Sequence, residues 1–359
     1  MKKSTTNPPP LKIGFQGWYL PQPHTGIGQA SLGLLRALAE DPAKPQLTVV
    51  TPRPVKIPGL PASQIHTLKP LSWLLHSALK KWAWERVQVP AFFARRALDW
   101  EYYPYPCPLP ARSPHPRAMT VHDTILWDDP RYAGGRLKRR YHRATKRALI
   151  HVDHVFTVSQ TTQQTLGIPA ATLLPNGLPE IPAGFKKMPY QNDLIYIGGY
   201  DLRKNVPDLI RAFALYHKSH PQRRLLLVGE PHHSSTYYPA LPSHPVVHHL
   251  GRLSEKDLYS ALRSSFALVH YSDSEGFNIP LLQAMAVGTP ALLRDLPVNR
   301  EVSHGAALFF KPSKKGDFTA KLDSLVDPKV RATLTAAAKK AAAHYSWKKT
   351  ATAFLKALS

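Results

Sequence analysis

Residues 266–295 read "FALVHYSDSEGFNIPLLQAMAVGTPALLRD". The apolar run from Phe266 to His270 has the length of a buried strand. A polar loop follows, and Pro280 suits the first turn of a helix. Thr289 to Asp295 then reads as a second short strand. Strand, loop, helix and strand in so short a span make one parallel α/β unit. The loop leaving the first strand lies at the carboxyl edge of such a sheet. Ligands bind there, and helix N-termini present unpaired N–H groups to them. In this chain that loop holds Glu275 and Gly276.

The same pattern extends in both directions. Upstream, "DLIYIGGYDLRKNVPDLIRAFALYHKS" gives a strand, a loop and a helix that starts at Asn205, and "RRLLLVGE" gives another strand. "LSEKDLYSALRSS" is a helix opened by Ser254. A separate alternation fills the first half of the chain. It has a strand from Lys12 to Leu20, a helix from Ala30 to Glu40, and strands in "QLTVVTP" and "RAMTVHDTI". A very basic helix, "GGRLKRRYHRATKRALIHVD", precedes the strand and helix of "HVFTVSQTTQQTL". The domains expected are a disordered 1–10, an α/β domain 11–180, a second α/β domain 181–340 and a terminal helix, 341–359. Residues 56–116 are less regular. "LSWLLHSALKKWAWERVQVPAFFARRAL" is apolar, aromatic and basic at helical spacing. It reads either as a helix pair packed on the sheet or as a membrane-surface contact through Trp73, Trp82, Trp84, Lys80 and Lys81.

A length of 359 residues suits two domains. The formal net charge of +24 attracts polyanions: an anionic membrane, a phosphorylated substrate or nucleic acid. No nucleic-acid-binding signature accompanies that charge, so nucleic acid is not an expected partner. The single cysteine, Cys107, excludes an internal disulfide and suits a reducing, cytoplasmic compartment. The first residues lack the apolar core of a secretory signal, and no run is long enough for a membrane span. No Cys/His spacing suits zinc and no acidic cluster suits a hard cation, so no metal or other cofactor is expected. Neither G-x-S-x-G nor a P-loop sequence occurs.

Four places carry candidate chemistry. Glu275 is repelled by phosphate but can accept hydrogen bonds from sugar hydroxyls; equally, it can cap the helix behind it. Gly276 permits close backbone approach, and the N–H groups of Phe277 and Asn278 belong to the crevice edge. Arg203 and Lys204 stand just before a helix N-terminus, where the dipole favours anions. A diphosphate between them, with Gly198 and Gly199 leaving room, accounts for this; two solvated charges do so equally. Gly26 and Gly28 in "HTGIGQ" read as a phosphate or sugar loop, or as a plain tight turn. His122, at the end of "RAMTVHDTI", stands where a site residue belongs, though a lone histidine is as readily structural.

Taken together, these segments resemble the retaining GT-B glycosyltransferases of family 4. "SEGFNIPLLQAMAVGTP" is similar to that family's E-G-F-x-x-P-x-x-E segment and "YIGGYDLRKNVPDLIRAFAL" to its G-x-x-x-x-R-K-N segment. "VHDTILWDDPRY", "FTVSQTTQQTL", "LLPNGL" and "YSWKKTA" follow the family's order, and "VHDTI" with "PNG" resembles its mannosyltransferase-like branch. The resemblance implies two Rossmann-like domains facing across a cleft, with the acceptor on the first and a nucleotide-sugar on the second. The final helix is then expected to cross back to the first domain. Arg203 and Lys204 would hold the diphosphate, and Glu275 the donor-sugar hydroxyls. The amides near Phe277 and Asn278 would meet sugar or phosphate. His122 would lie by the reacting sugar, and Gly26 and Gly28 by the diphosphate. Gln283 replaces the family's second acid, which contacts the ribose. The implied activity is metal-independent hexosyl transfer, mannose-like, from a nucleoside diphosphate to a glycan or lipid-linked glycan in polysaccharide biosynthesis. Retention is ascribed in the family to front-face attack. The implied site of action is the cytoplasm, including the inner membrane's cytoplasmic face. The rival readings are a two-domain nucleotide-sugar epimerase and a non-catalytic binding partner with the same fold.

Overall fold

The computed structural model describes residues 9–74, 76–132, 134–186, 188–230 and 241–359. Most of the expected disordered segment, residues 1–8, lies outside the described residues. The chain divides into two compact units. One comprises 1–158, 162–177 and 347–359, the other 159–161 and 178–346. The terminal element therefore starts later than residue 341, because the helix Pro328–Ala342 stays with the second unit and the last helix spans Trp347–Leu358.

The first unit is built on seven strands: β1 (Lys12–Gln16), β2 (Gln46–Thr51), β3 (Ile65–Thr67), β4 (Trp100–Tyr103), β5 (Arg117–Val121), β6 (His154–Thr157) and β7 (Thr172–Leu173). Their order is β3-β2-β1-β4-β5-β6-β7. Every pairing is parallel. The central strands β1, β4 and β5 are largely buried, and they carry buried polar residues, Gln16, Glu101, Arg117 and Thr120, among the apolar ones. β1 is shorter than the sequence suggests: Gly17 turns the chain, its N–H donating to the Val50 carbonyl at 2.8 Å. A Cβ at Gly17 would lie 2.5 Å from Leu20. The last helix returns to this unit by close packing. A Cβ at Gly33 or at Gly177 would stand 2.2 Å from Trp347, so both glycines make room for the indole. Thr350 Oγ1 donates to the Pro175 carbonyl at 2.8 Å, and Phe354 packs edge-on to Tyr102.

Residues 77–93 form one run of helix rather than the expected helix pair. It passes through a π turn at Trp84–Gln88. Pro90 lacks the N–H that an α ladder would require, and the bonding slips just before it, with Val89 N–H donating to the Trp84 carbonyl. The turn faces Trp84 and Glu85 inward, and both are fully buried. Glu85 accepts from the hydroxyls of Tyr105 (2.6 Å) and Tyr141 (2.8 Å). Lys81 lies 3.3 Å from Glu85 and donates to Tyr19 and Tyr141, with the rings of Tyr19 and Tyr105 each 5.0 Å away. Burial alone would lower this ammonium's proton affinity, but Glu85 and the tyrosines raise it well above the usual lysine value. Trp84 is therefore internal, and the half-buried Lys81 has its ammonium engaged by Glu85, Tyr19 and Tyr141, so neither is free for the surface contact considered from sequence; Lys80 is half-buried, and Trp73 and Trp82 are exposed.

The proline-dense loop 104–116 is held by another buried ion pair. Arg117 lies 3.5 Å from Glu101 and donates to the Pro110 and Arg112 carbonyls, both at 2.7 Å. Glu101 also accepts from the hydroxyls of Tyr103 and Ser113, both at 2.8 Å. Cys107 is buried here, and desolvation followed by Glu85 pushes its thiol well up, which leaves it unreactive.

The second unit has six strands: β8 (Leu194–Ile197), β9 (Leu225–Val228), β10 (Val247–Gly251), β11 (Ala267–His270), β12 (Ala291–Arg294) and β13 (Leu308–Phe310). They are ordered β10-β9-β8-β11-β12-β13 and are again all parallel. The chain winds outward from β8 to β10, then returns to place β11 against β8. The boundary between β8 and β11 is a topological switch point, where helices depart to opposite faces and leave a crevice at the carboxyl ends.

Candidate functional site

Two loops meet at that switch point. After β8 come Gly198 and Gly199. The Tyr196 hydroxyl donates to the Gly199 carbonyl at 2.6 Å, and a Cβ on Gly198 would lie 2.8 Å from that hydroxyl. Gly198 has φ 151°, while a Cβ on Gly199 would find nothing nearer than 4.0 Å. The first glycine is thus required by packing, and the second leaves open space. Asp201 caps a short 3-10 turn, Leu202–Lys204, by accepting from Arg203 N–H at 3.0 Å. Asn205, in the left-handed region at φ 49°, redirects the chain into the helix Val206–His217. Its side chain does not cap that helix; it approaches Asp273 at 3.4 Å.

After β11 the chain crosses Ser272 to Phe277 and enters the helix Ile279–Val287 through Asn278, at φ 73°. Asn278 Oδ1 accepts from Leu281 N–H at 3.3 Å, and its amide donates to Asn299 Oδ1 at 2.9 Å. Asn278 therefore caps this helix, and Glu275 is left for another task. Gly276 and Phe277 are buried beside it, with the Phe277 ring edge-on to Tyr345 at 5.4 Å.

Glu275 lies between the two cations that precede the other helix. Its Oε2 accepts from Arg203 Nη1 at 2.8 Å and its Oε1 from Lys204 Nζ at 2.6 Å. Arg203 also donates to the Ser274 carbonyl at 3.1 Å, and its Nε lies 3.4 Å from Asp201. Asp273 N–H donates to the Arg203 carbonyl at 2.7 Å, while the Asp273 carboxylate pairs with Arg294. The sequence left open an external diphosphate between the cations or two solvated charges. The structure supplies an internal anion. Burial would raise the Glu275 carboxyl, but Lys204, Arg203 and a hydrogen bond from Lys204 outweigh it and hold it well below the carboxylate range. Burial, reinforced by Arg203, lowers Lys204 in spite of Glu275. The 2.6 Å contact and the depressed carboxyl identify the pair as ionised.

His270 belongs to this cluster, and sequence reading passed over it as the last residue of an apolar strand. It is fully buried, 5.1 Å from the Tyr196 ring, with the Ile197 backbone as its hydrogen-bonding neighbour. Desolvation, then the Lys204 charge, pushes it down to about 3, so it is a neutral imidazole. Ser272 and Ser274 have buried hydroxyl oxygens with no hydrogen-bond partner among the described residues. Buried polar atoms of this kind are ordinarily satisfied by a water, an ion or a ligand.

Other sequence candidates sit differently. Gln283 is 5% exposed and lies against the Tyr259 hydroxyl, in the second turn of its helix rather than on an open edge. In the first unit the helix begins at Gly26, so Gly26 and Gly28 form its first turn and not a preceding loop. Gly28 N–H is taken by Thr25 Oγ1 at 3.1 Å, and a Cβ there would lie 2.2 Å from the Gln22 carbonyl. Close packing thus explains this glycine without a phosphate. His122 Nε2 donates to the Pro104 carbonyl at 2.8 Å, and its ring lines an internal cavity of about 20 Å³ with Ser31, Asn176 and Thr350. Burial lowers its proton affinity against the pull of Pro104 and Asp123. Among the described residues no group of three or more His, Cys, Asp or Glu is arranged to hold a metal, and no helix is long and apolar enough to cross a membrane.

Residues 179–341 match the model of the family described as Glycosyl transferases group 1. A glycogen synthase of Mycobacterium tuberculosis is 24% identical over 193 residues, 50% of this chain and 47% of that protein. O-antigen chain mannosyltransferase B of Escherichia coli is 28% identical over 167 residues, 45% of this chain and 44% of that protein. The chain thus aligns with about half the length of the curated relatives it matches. Over nearly the whole chain the likeness is one of fold. The crystal structure of Anabaena Alr3699/HepE in complex with UDP-glucose matches with a TM-score of 0.71 at 15% identity, covering 97% of this chain and 99% of that one. The fold is GT-B, with two Rossmann-like α/β units.

Proposed function

We propose that this protein is a retaining glycosyltransferase. It moves a hexose, mannose in the favoured case, from a nucleoside diphosphate sugar to a hydroxyl of a glycan or lipid-linked glycan. The observation that carries the reading is the Arg203–Lys204–Glu275 cluster at the β8/β11 switch point, within the segment that matches the glycosyl transferase model. Glu275, kept ionised, accepts hydrogen bonds from donor-sugar hydroxyls. Lys204 has three N–H donors by its chemistry and gives one to Glu275, so its charge can serve a carboxylate and a phosphate oxygen together. Arg203 orients the same carboxylate and adds its charge to the diphosphate. The anomeric C–O bond to the diphosphate breaks, the acceptor oxygen bonds to the anomeric carbon, and the acceptor proton passes to the departing phosphate oxygen. Charge stabilisation of that leaving group is the main catalytic term, and no metal is needed to supply it. His122 and the Gly26–Gly28 turn take at most a positioning part in this scheme.

The test is a panel of nucleotide-sugars incubated with the protein in EDTA, with and without oligosaccharide acceptors. The reading expects acceptor-dependent release of nucleoside diphosphate that EDTA leaves intact. Conversion of the donor to an epimer without acceptor, or no turnover of any donor, would overturn it.

A further inference from the structure

A groove in the first unit has unpaired positive charge. It is open, about 410 Å³ in volume, and lined by Leu68, Gln88, Ala91, Phe92, Arg95 and Arg96. The Arg96 guanidinium stacks 3.3 Å from the centre of the Phe92 ring and donates to the Phe92 carbonyl at 2.7 Å. The His66 ring lies 5.3 Å from the same ring. Among the described residues, no acid is within ion-pair reach of Arg95, Arg96 or His66. Their mutual repulsion is visible: burial and then Arg95 lower Arg96, and burial and then Arg96 lower His66. An anion in the groove would relieve it. Gln88 donates to the Lys69 carbonyl at 3.0 Å, while its Oε1 is buried with no donor. A ligand carrying a hydroxyl beside its negative charge would satisfy that oxygen. Phe92, Leu68 and Ala91 add an apolar wall.

The surroundings are unusual in the same direction. Trp73 is 72% exposed and Val87 53%, with Leu79 and Trp82 at 38% each. The hydrogen bond from Tyr141 to Glu85 ties this segment to the helix Arg136–Ala148, "RLKRRYHRATKRA", which holds seven basic residues and no acid. Exposed tryptophans near a groove with two arginines and a helix rich in cations suit a bilayer interface with anionic headgroups.

We propose that the groove is a headgroup site: Arg95, Arg96 and His66 bind the phosphate of an anionic glycerophospholipid, Gln88 Oε1 accepts from its glycerol hydroxyl, and Trp73 and Trp82 enter the interface. This is a claim about binding, so it stands or falls apart from the transferase reading.

The experiment uses the full chain. Short-chain phosphatidylglycerol below its micelle concentration is titrated calorimetrically, because a dispersed lipid has no surface potential. Binding is expected in wild type, about tenfold weaker or worse in Arg95→Ala/Arg96→Ala and in Arg95→Glu, as for loss of a hydrogen bond to a charged group, and unchanged in Arg139→Ala/Arg140→Ala on the basic helix. Equal losses in the groove and helix variants would overturn the site in favour of a diffuse positive surface. Inorganic phosphate binding as tightly as the lipid would also overturn it, because the groove would then recognise the free ion. Sedimentation with vesicles closes the test: phosphatidylcholine containing phosphatidylglycerol should capture the protein, and equal capture by phosphatidylcholine alone would contradict the proposal.

Discussion

At the carboxyl ends of β8 and β11, Arg203, Lys204 and Arg294 face Asp201, Asp273 and Glu275, so cations and carboxylates are equal in number. On the first unit, the helix Arg136–Ala148 carries seven Lys and Arg residues and no acid of its own, and the groove beside Phe92 is lined by two arginines and no acid. The chain's net charge of +24 therefore says little about its candidate donor site. That site is charged but balanced. It would hold a diphosphate through oriented donors more than through excess positive charge. The unbalanced regions are the ones suited to a polyanionic surface, which is read by overall field and screened by salt.

The sharpest way to break this contrast is to unbalance the cluster. Glu275→Ala leaves two largely buried cations facing each other. Removing one partner of a buried pair typically costs about 3–5 kcal/mol, and urea unfolding should show a loss of that order. Arg139→Ala on the basic helix should be near neutral. A Glu275→Ala variant as stable as wild type would mean that the cluster is solvated and not an internal pair.

Next in size are Lys204→Ala and Arg203→Ala. Loss of a hydrogen bond to a charged group costs roughly 1.5–3 kcal/mol, about one to two decades in kcat/KM for the donor. Steady-state kinetics on both variants checks this, with Arg95→Ala as the control that should leave donor kinetics unchanged. Wild-type kinetics in both cluster variants would remove the diphosphate role.

How much of this was legible in the sequence follows from the range of the interactions involved. The strands around the switch point were readable because β8, β9, β11 and β12 are short runs buried on both faces. Arg203, Lys204 and Glu275 were readable as loop residues at strand ends. Their pairing was not: Lys204 and Glu275 meet across 71 positions of chain, and nothing local reports it. His270 was hidden because a buried polar residue at the end of an apolar strand looks like the strand's boundary. β3 and β4 were missed because they are very short and lie in an aromatic, basic region whose helical periodicity dominates. The π turn before Pro90 and the indole-sized spaces at Gly33 and Gly177 are tertiary consequences with no local signature.

A smaller effect concerns His270. Its folded proton affinity is pushed from 6.5 down to about 3. The unfolded chain therefore binds more protons, and this contribution to stability, full above pH 6.5, is lost as the pH falls through the window between those values. Between pH 7.5 and pH 5 the loss from this group is about 2 kcal/mol, at about 1.4 kcal/mol per pKa unit. His270→Phe, which keeps a ring against Tyr196, should lack that component in unfolding measured at the two pH values. An identical pH dependence in variant and wild type would contradict the burial of an unprotonated imidazole.

The smallest effect expected is at Gln283. Its side chain is buried against Tyr259, so Gln283→Glu should change donor Kd by less than about tenfold, or ~1.4 kcal/mol. A larger change by calorimetry would move this residue into direct contact with the donor.

The central claim is that the balanced cluster binds a nucleoside diphosphate sugar. Calorimetric titration of uridine- and guanosine-diphosphate hexoses into wild type and Lys204→Ala tests it most directly. The account predicts saturable one-to-one binding of at least one donor by wild type. It also predicts binding at least about tenfold weaker in the variant, a difference of ~1.4 kcal/mol. Absence of binding to every donor, or equal binding by the two proteins, would contradict it.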